Sequence, residues 1–90
     1  MTIVWRDEGL DDLERIDAWL NTIEGANPEK VRARIGASIE VLDTLGDIGR
    51  PGPRPGTRAL SVAKAPYVIV YRVDQGVNDI LALYYTAQKR

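Results

Sequence analysis

Between Gly49 and Gly56, eight consecutive residues include three prolines and three glycines. Proline fixes φ and lacks an amide proton, and glycine gives up the most freedom on ordering. Neither a continuing helix nor a central strand can run through such a stretch. The segment Gly49–Arg58 therefore splits the chain into a part patterned for helices and a part patterned for strands. It is a join and not a domain boundary, because a chain of 90 residues makes one domain and neither side could stand alone. A single domain over residues 1–90 is the expected organisation.

Before the join, Thr2-Ile3-Val4-Trp5 is β-branched and aromatic and predicts a first strand. Asp7 reads as a helix N-cap with acidic residues in the turn that follows. Leu10, Leu13, Ile16, Leu20 and Ile23 recur at steps of three and four and mark one apolar stripe, which Gly25 should end. Asn27-Pro28 is a cap followed by proline at the first helical position. Val31, Ile35, Ile39, Leu42 and Leu45 form a second stripe, with Ala33 and Ala37 as points of close helix approach and Gly46 as its end. Two such helices joined by a few residues predict an antiparallel hairpin.

After the join, Ala59–Val62 is a short strand. Tyr67–Val73 is nearly continuous in β-formers and predicts a central strand, with Pro66 at its start. Residues 74–78, around Gly76, read as a hairpin loop, and Ile80–Thr86 as the return strand. The order β-α-α-β-β-β is an α+β fold, with the helix hairpin on one face of a largely antiparallel sheet.

Histidine and cysteine are both absent. That excludes serine–histidine and cysteine–histidine catalysis, disulfides and the commonest zinc ligands, so no metal and no cofactor is expected. The acidic group Asp7, Glu8, Asp11 and Asp12 sits where a helix start favours negative charge, and reads as capping and solvation. A net charge of −1 and a pI of about 5.3 do not match nucleic acid, so direct DNA binding by the chain alone is not expected. There is no leader pattern and no apolar run near membrane-spanning length, which points to a cytoplasmic protein. A core this thin, with no disulfide or metal, leans toward assembly with a partner.

Arg50, Arg54 and Arg58 stand four apart in a segment stiffened by proline, which suits contact with an acidic partner. Arg72 has the parity of Val68 and Val70, and so lies either at the core edge with a counter-ion or on the open face of the sheet. Tyr84 and Tyr85 point to opposite sides of their strand. Trp5 and Trp19 read as packing residues, with Trp19 at the border of its stripe able to join an apolar groove for a partner helix.

Four pieces in order carry a family resemblance: Ile3-Val4-Trp5, Gly49-Arg50-Pro51-Gly52, Gly56-Thr57-Arg58-Ala59-Leu60 and Pro66–Val73. Together they make the chain, from about residue 2 to residue 88, resemble the RelE/ParE superfamily of bacterial toxins, and its ParE branch most closely. The resemblance implies the toxin of a type II toxin–antitoxin system, bound in a hetero-oligomer by an antitoxin whose C-terminal segment wraps it. It also implies growth arrest through DNA gyrase, by binding and without enzymatic activity. Arg50, Arg54, Arg58, Arg72, Trp19 and Tyr85 are the expected partner contacts. The alternative within the superfamily is a RelE-like ribosome-dependent endoribonuclease, which would use Arg58, Arg72 and Tyr85. A third reading is an antitoxin-binding regulator without toxicity. The end departs from the family pattern: Tyr85 stands where a histidine often falls, followed by Thr86-Ala87-Gln88-Lys89-Arg90.

Overall fold

A computed structural model describes residues 2–46 and 48–86. Lys89 and Arg90 lie outside the described residues, so the chain's departure at its end is described only as far as Thr86. The element order is β1 (Thr2–Trp5), α1 (Asp7–Leu20), α2 (Pro28–Leu45), β2 (Arg50–Pro51), β3 (Arg58–Ser61), β4 (Tyr67–Asp74) and β5 (Val77–Tyr85). They form the expected α+β fold, with both helices against a five-stranded sheet ordered β1-β5-β4-β3-β2. Among the described residues, only the β1–β5 pair is parallel. The strand missing from the sequence reading is β2. It is two residues long and lies at the sheet edge, the one place where Pro51 costs no ladder hydrogen bond.

The first helix differs from expectation at both ends. Asp7 is its first residue; Arg6 holds the N-cap position, extended and without a side-chain cap. The helix stops at Leu20, because Asn21 and Thr22 donate from their side chains to the carbonyls of Asp17 and Trp19 and satisfy its last turn. Ile23 thus falls outside the helix and is exposed. The second helix keeps its predicted ends: the Asn27 side chain accepts from the Lys30 amide, Pro28 follows, and Gly46 closes it at positive φ. Its buried face is Ile35, Ser38 and Leu42, while Ala33 and Ala37 point to solvent. The alanines are therefore not a helix–helix contact. Each helix instead packs down onto the sheet, and Leu45, 66% exposed, drops out of the stripe.

The join between α1 and β5 is close. A Cβ at Gly9 would come within 2.7 Å of the Ile80 carbonyl oxygen, so only glycine lets the helix sit on the strand there. One turn on, Asp12 is buried and accepts the Leu83 amide at 2.9 Å. This corrects the reading of Asp12 as a solvated carboxylate. It serves the part of the β5 edge that β1 does not reach, where an unpaired amide would otherwise be buried. Arg15 balances its charge at 3.0 Å.

Strand β4 is central, as predicted, between β5 and β3. Tyr67, Ile69 and Tyr71 face the helices and join Ile35, Leu42, Val62, Ile80 and Leu83 in the core. The β4–β5 connection is tighter than the expected loop. Gln75 and Gly76 both take positive φ, the signature of a two-residue type I′ turn, so β5 begins at Val77. A bulge separates Val70↔Ala82 from Tyr71↔Ile80 and leaves Leu81 unopposed. Ile80 and Leu83 can then both face the helices although they are three apart.

Candidate functional site

The bulge decides what lies on the open face. Counting alternately back from Leu83 would drive Asp79 into the core; the extra residue at Leu81 turns it to the other side, opposite Arg72. Arg72 therefore takes the second of its two possible positions, on the open face with Val68 and Val70. Its Nη2 reaches one Asp79 carboxylate oxygen at 3.2 Å. Arg6 takes the other oxygen, through Nε at 2.9 Å and Nη2 at 2.7 Å. The Arg6 backbone amide is itself pinned to the Ile80 carbonyl at 3.0 Å, which holds its side chain beside Asp79.

The carboxylate is only 3% exposed, whereas the Arg6 and Arg72 side chains are 54% and 50% exposed. Burial pushes the Asp79 carboxyl up, but the hydrogen bonds and charges of Arg72 and Arg6 outweigh it and hold the group below the ordinary carboxylate range. One buried negative charge thus orients two half-exposed guanidiniums, leaving a net positive charge at the surface.

Beyond this trio, the proline-rich loop folds over the same face. Pro53, Arg54 and Thr57 form a cleft with Val70, Leu81, Ala82 and Glu8. The loop is braced internally: the Thr57 hydroxyl donates to the Arg54 carbonyl at 2.6 Å, and the Gly52 amide to the Thr57 carbonyl at 2.9 Å. At the loop's start, the Gly49 amide donates to the Tyr71 hydroxyl at 2.7 Å. Arg50, paired in register with Ala59, extends along the open face to the Ser61 hydroxyl at 3.1 Å.

The six residues expected from the sequence are divided by the sheet. Arg50, Arg54 and Arg72 lie on the open face. Arg58 pairs with Tyr71 and so points to the helix side, where it lines a hollow with Pro51, Thr57 and Val73. Tyr85 is also on the helix side, with ring centroids 5.7 Å from Tyr67 and 6.1 Å from Trp19. Trp19 is half exposed and caps this aromatic group. A separate apolar groove runs between the helices, lined by Trp5, Leu10, Leu13, Ile35 and Ile39, and Trp19 is not part of it. The grouping of Arg58, Arg72 and Tyr85 is therefore not assembled, because the sheet stands between Arg72 and the other two. Of the two tyrosines, Tyr84 is the one on the open face, opposite Val68. Arg6 and Asp79 were missed by sequence reasoning. The available signal was a carboxylate directly before the apolar run Ile80–Leu83, which needs a partner once it is drawn into the strand.

The chain thus combines a helix hairpin on a mixed sheet with an arginine-bearing open face and an apolar groove on the helix side. The chain belongs to the family of ParE toxins of type II toxin–antitoxin systems, parDE, which it matches over residues 3–90. It is 33% identical over 82 residues to Y4kP, a protein of Sinorhizobium fredii named as a candidate toxin, covering 91% of this chain and 85% of the relative. Among solved structures it is similar to a chain of the chromosomal ParDE system of P. aeruginosa, with TM-score 0.71, 26% identity and coverage of 94% and 95% of the two chains. The isolated E. coli RelE toxin shares the fold, with TM-score 0.68 and 11% identity, over 98% of this chain and 86% of that one.

Proposed function

We propose that this chain is the toxin of a type II pair, neutralised by a cognate antitoxin, and that it arrests growth by binding DNA gyrase in the cytoplasm without chemistry of its own. The observation that carries binding over catalysis is the separation of Arg58, Arg72 and Tyr85. Phosphoryl chemistry needs its charge-stabilising and proton-transferring groups around one phosphate. Here the Tyr85 ring packs against Trp19 and Tyr67, on the far side of the sheet from Arg72. The similarity to a ParDE system supports an antitoxin as partner. The interhelical groove and the exposed Trp19 suit an apolar antitoxin segment, while Arg50, Arg54 and Arg72 suit the target.

The test is induced expression with and without the antitoxin encoded beside it, followed by a supercoiling assay on purified gyrase. The expected result is growth arrest with a DNA-damage response, inhibited supercoiling and intact messenger RNA. Codon-specific mRNA cuts that disappear in Arg72→Ala or Tyr85→Phe would establish the endoribonuclease instead. Normal growth without antitoxin would leave the non-toxic regulator.

A further inference from the structure

The charge of this molecule is segregated. Residues 1–46 carry five basic and ten acidic side chains, and residues 47–90 carry seven basic and three acidic ones. In the Arg6–Asp79–Arg72 trio, a basic residue of the acidic N-terminal half, Arg6, joins the open face. One carboxylate holds two arginines here, one on each oxygen, and both guanidiniums remain half exposed. Their remaining N–H donors are fixed in place before any ligand arrives, so little side-chain entropy is lost on binding.

The surroundings restrict what can bind. Asp74, two residues along β4, shares the face of Arg72, and Glu8 lines the neighbouring cleft. Arg54 lines that cleft beside Glu8, so the charges of the cleft itself balance. The chain as a whole carries a net charge of −1, which disfavours a polyanion, whereas a single anionic group needs only the local cationic pair. Val70 precedes Arg72 on the same face by two strand residues, about 7 Å. Together with Pro53, Leu81 and Ala82 it gives the cleft an apolar lining.

We propose that the open face is a recognition site for a protein segment carrying one isolated carboxylate beside an aliphatic side chain, the carboxylate bridging Arg6 and Arg72 and the aliphatic group entering the cleft under Pro53. Charge complementarity selects the acid, and the net negative charge of the chain disfavours nucleic acid. The site rests on the reading of this chain as a binder, and does not depend on gyrase being the target.

The experiment uses the purified full chain and follows the arginine Nε–H and backbone amide resonances during titration. The probes are the peptide acetyl-Leu-Asp-Leu-Ala-amide, its Asn counterpart and a hexanucleotide of uridines. The Asp peptide should shift the Arg6 and Arg72 Nε signals together with the Leu81 and Ala82 amides. The Asn peptide should bind about tenfold more weakly or worse, the worth of a charge-assisted hydrogen bond. Arg72→Gln and Arg6→Gln should each weaken the Asp peptide to the same degree, since either change leaves a neutral one-to-one pair with Asp79. If Arg72→Gln does not fold, Arg6→Gln decides, because it keeps the Arg72–Asp79 pair. Equal binding of the Asn peptide, stronger binding of the oligonucleotide at these resonances, or no shift at millimolar peptide would overturn the proposal. A gyrase assay reads the functional proposal independently, so the two can fail separately.

Discussion

The two faces of this sheet are made from the same strands and do different work. On the helix side, β4 contributes Tyr67, Ile69 and Tyr71, all buried against α1 and α2. On the open side, it contributes the buried Val68 and Val70, the latter against the proline-rich loop, and then the exposed Arg72. The first face is closed by two helices, so its central positions are determined by packing. The second is closed only by a loop, so it can keep a cleft and two exposed guanidiniums. A face left partly open to solvent cannot also be the core, so the two faces take different residues.

The contrast is testable by truncation on either face. Ile69→Ala removes a fully buried side chain from the helix face and should cost about 2–5 kcal/mol in chemical denaturation. Its neighbour Val70→Ala loses two carbons at about 0.8 kcal/mol each, roughly 1.6 kcal/mol, because the loop and cleft can relax around it. Equal costs would mean that the loop closes the open face as firmly as the helices close the other.

Asp12 is the next place to break the comparison, since it ties the helix layer to the edge of β5. Asp12→Ala leaves the buried Leu83 amide without its carboxylate acceptor and should cost about 1.5–3 kcal/mol. Faster hydrogen exchange at Leu83, with the interior of β4 still protected, would identify the loss as local. Unchanged exchange there would show that the hydrogen bond is dispensable.

Much of the helix face was legible because its signals are local and periodic. The Asn27-Pro28 cap, the Ile35 and Leu42 positions and the continuous β-formers of Tyr67–Val73 each carry their meaning within a few residues. The end of α1 was less legible, because Asn21 and Thr22 terminate it with side-chain hydrogen bonds that no apolar stripe reveals. The open face was the hardest. Arg72 could be placed on either side by parity alone, and Asp79 lay on the wrong side of any simple alternation. Its position depends on the bulge at Leu81, a feature of pairing between strands and not of either strand's sequence. The proline-rich loop announced itself from composition, yet only Arg50 and Arg54 of its arginines reach the open face. Arg58, the first residue of β3, is turned to the other side by its register with Tyr71.

The smallest expected effect is the most specific to the arginine trio. The Asp79 carboxyl is held below its unfolded value by Arg72 and Arg6, so its contribution to stability is complete above the unfolded carboxylate range and is lost as pH falls through the folded value. The affected window begins at about pH 4 and runs downward. Asp79→Asn leaves two arginines beside a neutral amide, and should be less stable than the parent at neutral pH. The two stability curves should then converge below about pH 4, as the parent's carboxyl takes up its proton and loses the same interaction. Other carboxylates titrate in both proteins, so the difference between the curves isolates Asp79. Parallel curves down to the acid limit would mean that the two guanidiniums do not depend on this carboxylate for their place on the open face.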